Sequence, residues 1–298
     1  MRFAPLLLAA ACAALLAGCG SGGGDGRPSV GATTTQAADL ARAVAGDRAQ
    51  VRGVLVPNSD PHDYEVRPGD VKALARASLV VRSGGDLDEW LGGAIDSAGA
   101  DAPVLDLLDR VGAEGDDPHW WQDPRRAETA VTAIGDALAK ADPGGANAYR
   151  ANAQRTVRRL RALDAAVRRC VSRIPEAERT LVTTHDSLGY YARRYGLRIV
   201  GTVIPSLSTQ AQASAGDLAE LVDTIRRERV KAIFAESSVN ASVEDAIAQE
   251  TGARVGRPLW ADSLGPNGSS GATYEDSIRA NTAAIVEGLT GETCSFPR

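Results

Sequence analysis

The sequence predicts an α/β protein built as two lobes joined by one long helix, and three observations predict it. Short β-branched runs alternate with helical patterns along most of the chain, the signature of βαβ units and parallel sheets. One stretch, from Gly145 to Arg173, breaks that rhythm with uninterrupted helical spacing. Each of the three histidines lies in a polar loop after a predicted strand, and α/β sheets bind ligands beyond the carboxyl ends of their strands.

Taken in order, the chain begins with a targeting segment. Met1-Arg2 is a short positive start, and Phe3 to Ala17 is an apolar run. A bilayer span needs about 20 apolar residues; this shorter run suits a signal peptide. It ends in Leu16-Ala17-Gly18-Cys19, a lipobox-like sequence that makes Cys19 the lipidated first residue of the mature protein. An ordinary secretory cleavage near Ala17 is the alternative. Gly20-Ser21-Gly22-Gly23-Gly24-Asp25-Gly26 then reads as a flexible tether. The expected boundaries are 1–18 for the signal, 19–28 for the lipidated cysteine and tether, 29–144 for the first lobe, 145–174 for the connecting helix and 175–298 for the second lobe.

Strands are expected at Val51–Val56, Ser78–Val81 and Val104–Leu107 in the first lobe. In the second they are expected at Thr180–Thr184, Ile199–Val203, Lys231–Ala235 and Arg257–Trp260. Helices fall between them at Thr35–Ala45, Pro68–Ala77, Ala127–Ala141, Ser187–Tyr195, Ala215–Glu228 and Val243–Thr251. In the connecting segment Tyr149, Ala153, Val157, Leu160, Leu163, Val167 and Val171 recur at helical spacing among arginines. Pro143-Gly144-Gly145 stops the preceding helix and Pro175 follows its end. At 1.5 Å per residue it runs about 40 Å, longer than a crossover within one small domain needs, so it reads as a strut with a solvated face.

Composition narrows the function. The formal net charge is −5 and 44% of residues are hydrophobic. Nucleic-acid binding needs a basic face, which this balance argues against. Of the four cysteines, Cys12 leaves with the signal and Cys19 takes the lipid. Cys170 and Cys294 remain, able to pair in an oxidising compartment or to stand as free thiols; pairing is favoured.

His62 lies in Asn58-Ser59-Asp60-Pro61-His62-Asp63-Tyr64, His119 in Asp117-Pro118-His119-Trp120-Trp121-Gln122-Asp123-Pro124, and His185 ends Val182-Thr183-Thr184-His185. The repeated Asp-Pro-His suits a rigid loop, because proline fixes φ, with Asp60 and Asp117 placed to orient an imidazole. Imidazoles favour zinc, copper, nickel and iron over magnesium and calcium. A tetrahedral zinc site needs a fourth ligand. Asp262, after Pro258-Leu259-Trp260, is the first candidate and Glu236, after Ala232-Ile233-Phe234-Ala235, the second.

These motifs resemble the metal-binding lipoproteins of ABC importers, the cluster that includes ZnuA, TroA and PsaA. The resemblance runs from about Ser29 to the C-terminus and is strongest at Thr33–Leu40, Pro57–Glu65, Asp117–Pro124, Thr184–Gly189 and Ala261–Gly265. It implies two lobes, each with a four-stranded parallel sheet flanked by helices, joined by one rigid helix with the metal in the cleft. It implies ligands at His62, His119, His185 and Asp262, an ABC permease and its ATPase as partners, and a monomer anchored outside the cytoplasmic membrane. A histidine at the third position accompanies zinc-binding members and glutamate accompanies manganese, so Zn2+ is the expected cargo, with Mn2+ or Fe2+ as the alternative. Two departures stand out. Ala113-Glu114-Gly115-Asp116 replaces the His- and acid-rich loop of many zinc members, and Gln212-Ala213-Ser214 replaces a Glu-Pro-Ser.

Three other classes fit less well. A zinc hydrolase needs an open coordination position and a general base, and the chain has neither a His-Glu-x-x-His motif nor a nucleophile elbow; it is therefore expected not to be an enzyme. An adhesin role finds no repeats and only 4% aromatic residues. A receptor for a small organic ligand would use multi-strand hinges and an aromatic cleft rather than one strut and a histidine set.

Overall fold

The computed structural model describes residues 26–98 and 101–296. The expected signal peptide, Cys19 and most of the tether lie outside the described residues. The first lobe carries β1 (Ser29–Ala32), β2 (Gln50–Gly53), β3 (Leu79–Arg82) and β4 (Val104–Asp106), all parallel, in the order β2-β1-β3-β4. Its helices are α1 (Thr35–Ala45), α2 (Pro68–Ala75), α3 (Trp90–Ala98), α4 (Leu107–Val111) and α5 (Pro124–Ala141). The connecting helix α6 spans Ala146–Val171. The second lobe repeats the plan with β5 (Thr180–Thr183), β6 (Arg198–Thr202), β7 (Ala232–Phe234) and β8 (Arg254–Val255), parallel in the order β6-β5-β7-β8. Around it lie α7 (Gly189–Tyr195), α8 (Ala215–Glu228), α9 (Ser242–Thr251) and α10 (Tyr274–Thr290).

Local chemistry explains the element ends. The Thr34 hydroxyl accepts the Ala37 N–H and starts α1, whose Leu40, Ala41, Val44 and Ala45 form a buried stripe. Asp123 caps α5 and Pro124 occupies its first turn, where a missing N–H costs nothing. Ser214 and Asp217 form a reciprocal capping box on α8, so the Gln212-Ala213-Ser214 departure retains a working helix start.

Several expectations need correction. No strand was expected at Ser29–Ala32, which has one β-branched residue, yet β1 lies second in its sheet, between β2 and β3. There Leu74 packs so close to Gly31 that a Cβ would sit 2.8 Å from its Cδ2, and any larger residue would have to push Leu74 aside. The Val104–Leu107 strand stops at Asp106 because that side chain accepts the Asp109 N–H and begins α4. Arg257–Trp260 is not a strand. The edge strand is Arg254–Val255, and Leu259 alone pairs, in an isolated parallel bridge with Glu236; Pro258 removes a ladder donor in between. Helices α3, α4 and α10 were not anticipated.

The strut is also less exposed than its arginines suggest. Helices α1, α5 and α10 pack along α6, whose Tyr149, Leu160, Leu163 and Val167 are buried. One apolar core therefore runs from Val30 and Leu40 through Ile134 and Leu160 to Leu181, Phe234 and Ile285, crossing both lobes. A disulfide joins Cys170 near the end of α6 to Cys294, with Cα atoms 5.9 Å apart. Among the described residues no helix is long and apolar enough to cross a membrane.

Candidate metal centre

His62 lies in the loop after β2. That loop turns at Asn58, which adopts a left-handed φ of 60°, a conformation short polar side chains tolerate. The Asn58 N–H donates to Leu264 O in the second lobe at 2.8 Å. Asp60 Oδ1 accepts the His62 backbone N–H at 2.9 Å, and its other oxygen accepts the Thr209 hydroxyl at 2.6 Å. Asp60 thus fixes the backbone of His62 and ties it across the cleft, where the sequence suggested that it orients the ring.

His119 does not follow β4 directly, since α4 intervenes. Asp117 Oδ1 accepts both the backbone N–H of His119 at 3.0 Å and its ring Nδ1 at 2.8 Å. A carboxylate on Nδ1 orients the ring and turns Nε2 toward the site. His185 is held the same way by a different partner: Glu236 Oε1 lies 2.5 Å from its Nδ1. Glu236, the second candidate ligand, therefore stands one step behind the donor set, because its carboxylate is engaged by the far side of the imidazole.

Asp262 hangs from a carbonyl gripped by the other lobe. The Trp121 indole N–H and the Gln122 amide both donate to Ala261 O, at 2.9 and 2.8 Å, and Leu264 N–H donates to the Thr35 hydroxyl at 2.8 Å. Trp120 and Trp121 are buried, whereas Trp260 packs over Gly265 and Gly271.

The four predicted residues come together: one donor atom from each of His62, His119, His185 and Asp262 lies within 4.8 Å of every other. The three Nε2 atoms lie 3.3, 3.5 and 3.1 Å from the Asp262 oxygens, for His62, His119 and His185 respectively. His119 and His185 Nε2 are 3.3 Å apart. A tetrahedron with ~2.0–2.1 Å bonds has edges of about 3.3–3.4 Å, so these spacings suit a four-coordinate ion. The side chains are 3% exposed or less, yet His62 Nε2 and both Asp262 oxygens have no properly directed hydrogen bond. Buried polar atoms are rarely left so; here their lone pairs converge on one point.

The charges agree. Burial alone would lower the pKa of His185, but Asp262 and Glu236 outweigh it and push it up to about 11. Burial would raise Asp262, but His185 and His119 hold it well below the usual carboxylate range. Burial raises Glu236, against the opposing pull of His185. The cluster therefore concentrates negative charge and basic imidazole where a divalent cation would balance the carboxylates and take the place of imidazole protons.

Sequence reasoning did not single out Thr35, Gln122, Tyr190 or Thr209. Each acts through a contact across the cleft, which leaves no periodic or motif signal.

Residues 30–288 match the family model of the periplasmic zinc-uptake complex component A, ZnuA. The chain is 30% identical over 257 residues to the manganese-binding lipoprotein MntA of Halalkalibacterium halodurans, covering 85% of each chain. It is 30% identical over 265 residues to the iron-binding protein YfeA of Yersinia pestis, covering 86% of this chain and 85% of that one. Among solved structures, the periplasmic zinc-binding protein TroA from Treponema pallidum matches with a TM-score of 0.83 at 30% identity, over 89% of this chain and 99% of that one.

Proposed function

The chain belongs to the ZnuA family of periplasmic uptake components, and on that premise we propose that it captures a divalent transition metal, zinc by preference, and delivers it to an ABC permease and its ATPase. One observation carries the reading: three buried imidazoles, which with Asp262 make two donors from each lobe, place their Nε2 atoms 3.1–3.5 Å from carboxylate oxygens that lack hydrogen-bond partners. An ion bound there bridges the lobes, so capture rigidifies the protein.

Three nitrogens and one carboxylate favour zinc over harder cations. Manganese and iron form the second reading, favoured by the similarity to MntA and YfeA. The protein is read as a carrier and not a catalyst, because protein side chains supply all four donors where a catalytic zinc keeps one position for water. Cys19, lipidated, would hold a monomer at the outer face of the cell membrane.

Competition decides the cargo. The stripped mature protein is offered equal zinc and manganese, and the complex is weighed by native mass spectrometry. One retained zinc supports the preference. Retained manganese keeps the carrier role and overturns the choice of metal. No stoichiometric metal overturns the role itself.

A further inference from the structure

We propose that Tyr190 and Arg193, on the second lobe, are positioning residues for the His119 loop of the first lobe and thereby set how long the metal is retained. The inference rests on the carrier reading and adds a component the four donors do not contain.

Helix α7 brings Tyr190, 2% exposed, against the loop that precedes His119. Its hydroxyl donates to Asp117 O at 3.0 Å and accepts the Glu114 N–H at 2.9 Å. Two guanidinium groups lie on its ring, Arg126 at 4.6 Å and Arg193 at 5.0 Å from the centroid, both within cation–π range. Both also pair with Glu114: Arg193 Nε lies 2.5 Å from Oε2, and Arg126 meets Oε1. Arg126 further donates to Val111 O at 2.8 Å and to Gly112 O.

The link to the metal centre is short. Arg193 Nη2 is 3.5 Å from Asp117 Oδ2, while Asp117 Oδ1 holds the backbone and Nδ1 of His119. A chain of polar contacts thus runs from Arg193 through Asp117 to the imidazole whose Nε2 faces the site. The approach depends on Gly189 at the start of α7. A Cβ there would lie 2.8 Å from Asp117 Oδ2 and 3.0 Å from Arg193 Nη1, so any side chain would displace these two groups.

Tyr190 and Arg193 belong to one lobe, and Glu114, Asp117, Arg126 and His119 to the other. Separating the lobes therefore breaks every contact that Tyr190 and Arg193 make with the first lobe, while Arg126 keeps its bonds to Glu114, Val111 and Gly112. A metal leaving through the cleft must open this clasp as well as its own bonds. Partners that orient a ligating histidine typically contribute 10–100-fold to metal affinity, and the clasp acts mainly on the release rate.

The test uses the full mature chain loaded with zinc, with release followed by transfer to a chromophoric chelator. Tyr190→Phe keeps the ring and removes both hydroxyl bonds; Arg193→Gln removes the charge beside Asp117 and Glu114. Each is expected to release zinc about 10–100-fold faster and to alter the visible spectrum of the cobalt-substituted protein, beyond any loss of metal-free thermal stability from the missing bonds. Arg169→Ala, on the exposed face of α6, is expected to change neither. Variants that release zinc at the wild-type rate, or that lose metal-free stability with unchanged cobalt spectra, overturn the clasp. Wild-type protein that retains no zinc would instead overturn the carrier reading.

Discussion

The two lobes share one sheet order yet support their candidate metal donors in different ways. His62 and His185 are each anchored by an acid of their own lobe, Asp60 on the backbone of one and Glu236 on the ring of the other. His119 also has an acid of its own lobe, Asp117, but its loop and the carbonyl before Asp262 are in addition braced from the opposite lobe. Tyr190 and Arg193 reach from α7 to the His119 loop, and Trp121 and Gln122 reach back to the carbonyl before Asp262. His185 is therefore held from within its own half, whereas His62, His119 and Asp262 each gain a bond from across the cleft. The centre is a property of the closed pair.

That contrast can be broken from several sides. The largest effect concerns the scaffold. Reducing the Cys170–Cys294 bridge, which spans a sequence separation of 124, should cost about 5 kcal/mol of stability in the chain-entropy model. Thermal unfolding with and without reductant measures it. Zinc affinity should change far less, since neither cysteine belongs to the donor set.

Removing a donor comes next. Sharing the ~10–16 kcal/mol of a structural zinc site among four ligands gives ~2.5–4 kcal/mol each. His185→Ala and Asp262→Ala should then each weaken zinc by two to three orders of magnitude in chelator competition. Equal losses would show that the preset and the cross-supported donors bind alike once the site has formed.

Acidity acts on the same centre. With its pKa raised to about 11, His185 keeps a proton in the metal-free protein at neutral pH, and zinc must displace it. Zinc affinity should therefore rise about tenfold per pH unit between roughly pH 5.5 and 7.5, measured by titration in matched buffers. In the metal-free fold the sign is opposite: the stabilisation from charged His185 is complete below about pH 6.5 and is lost as pH rises through about 11.

The smallest effect tests the cross-lobe grip itself. Gln122→Ala removes one of two hydrogen bonds to Ala261 O, worth ~1 kcal/mol, and should weaken zinc about fivefold by the same competition. Asp262 should lose its place gradually, because Trp121 still holds the carbonyl.

The sequence made the donor set legible because histidine is scarce in this chain and each copy sits in a loop at the same end of its sheet. The alternation of strands and helices was legible for the same physical reason: periodicity is local. What escaped depends on neighbours distant in the chain. Ser29–Ala32 becomes a strand because β2 and β3 flank it, and Arg257–Trp260 fails to become one because Pro258 interrupts the ladder. Glu236, readable from its place after β7 as an alternative ligand or as a support behind one, takes the second task through the nearness of His185 Nδ1. The Tyr190–Arg193 contacts have no sequence signature, since they exist only across the closed cleft.

The most direct test of the central claim is X-ray absorption at the zinc edge on stripped, stoichiometrically reloaded protein. Four-coordinate zinc with three imidazoles and one carboxylate oxygen at ~2.0–2.1 Å is the predicted result. A shell with fewer than three imidazoles, or one unchanged in His185→Ala, would contradict a centre built jointly by both lobes.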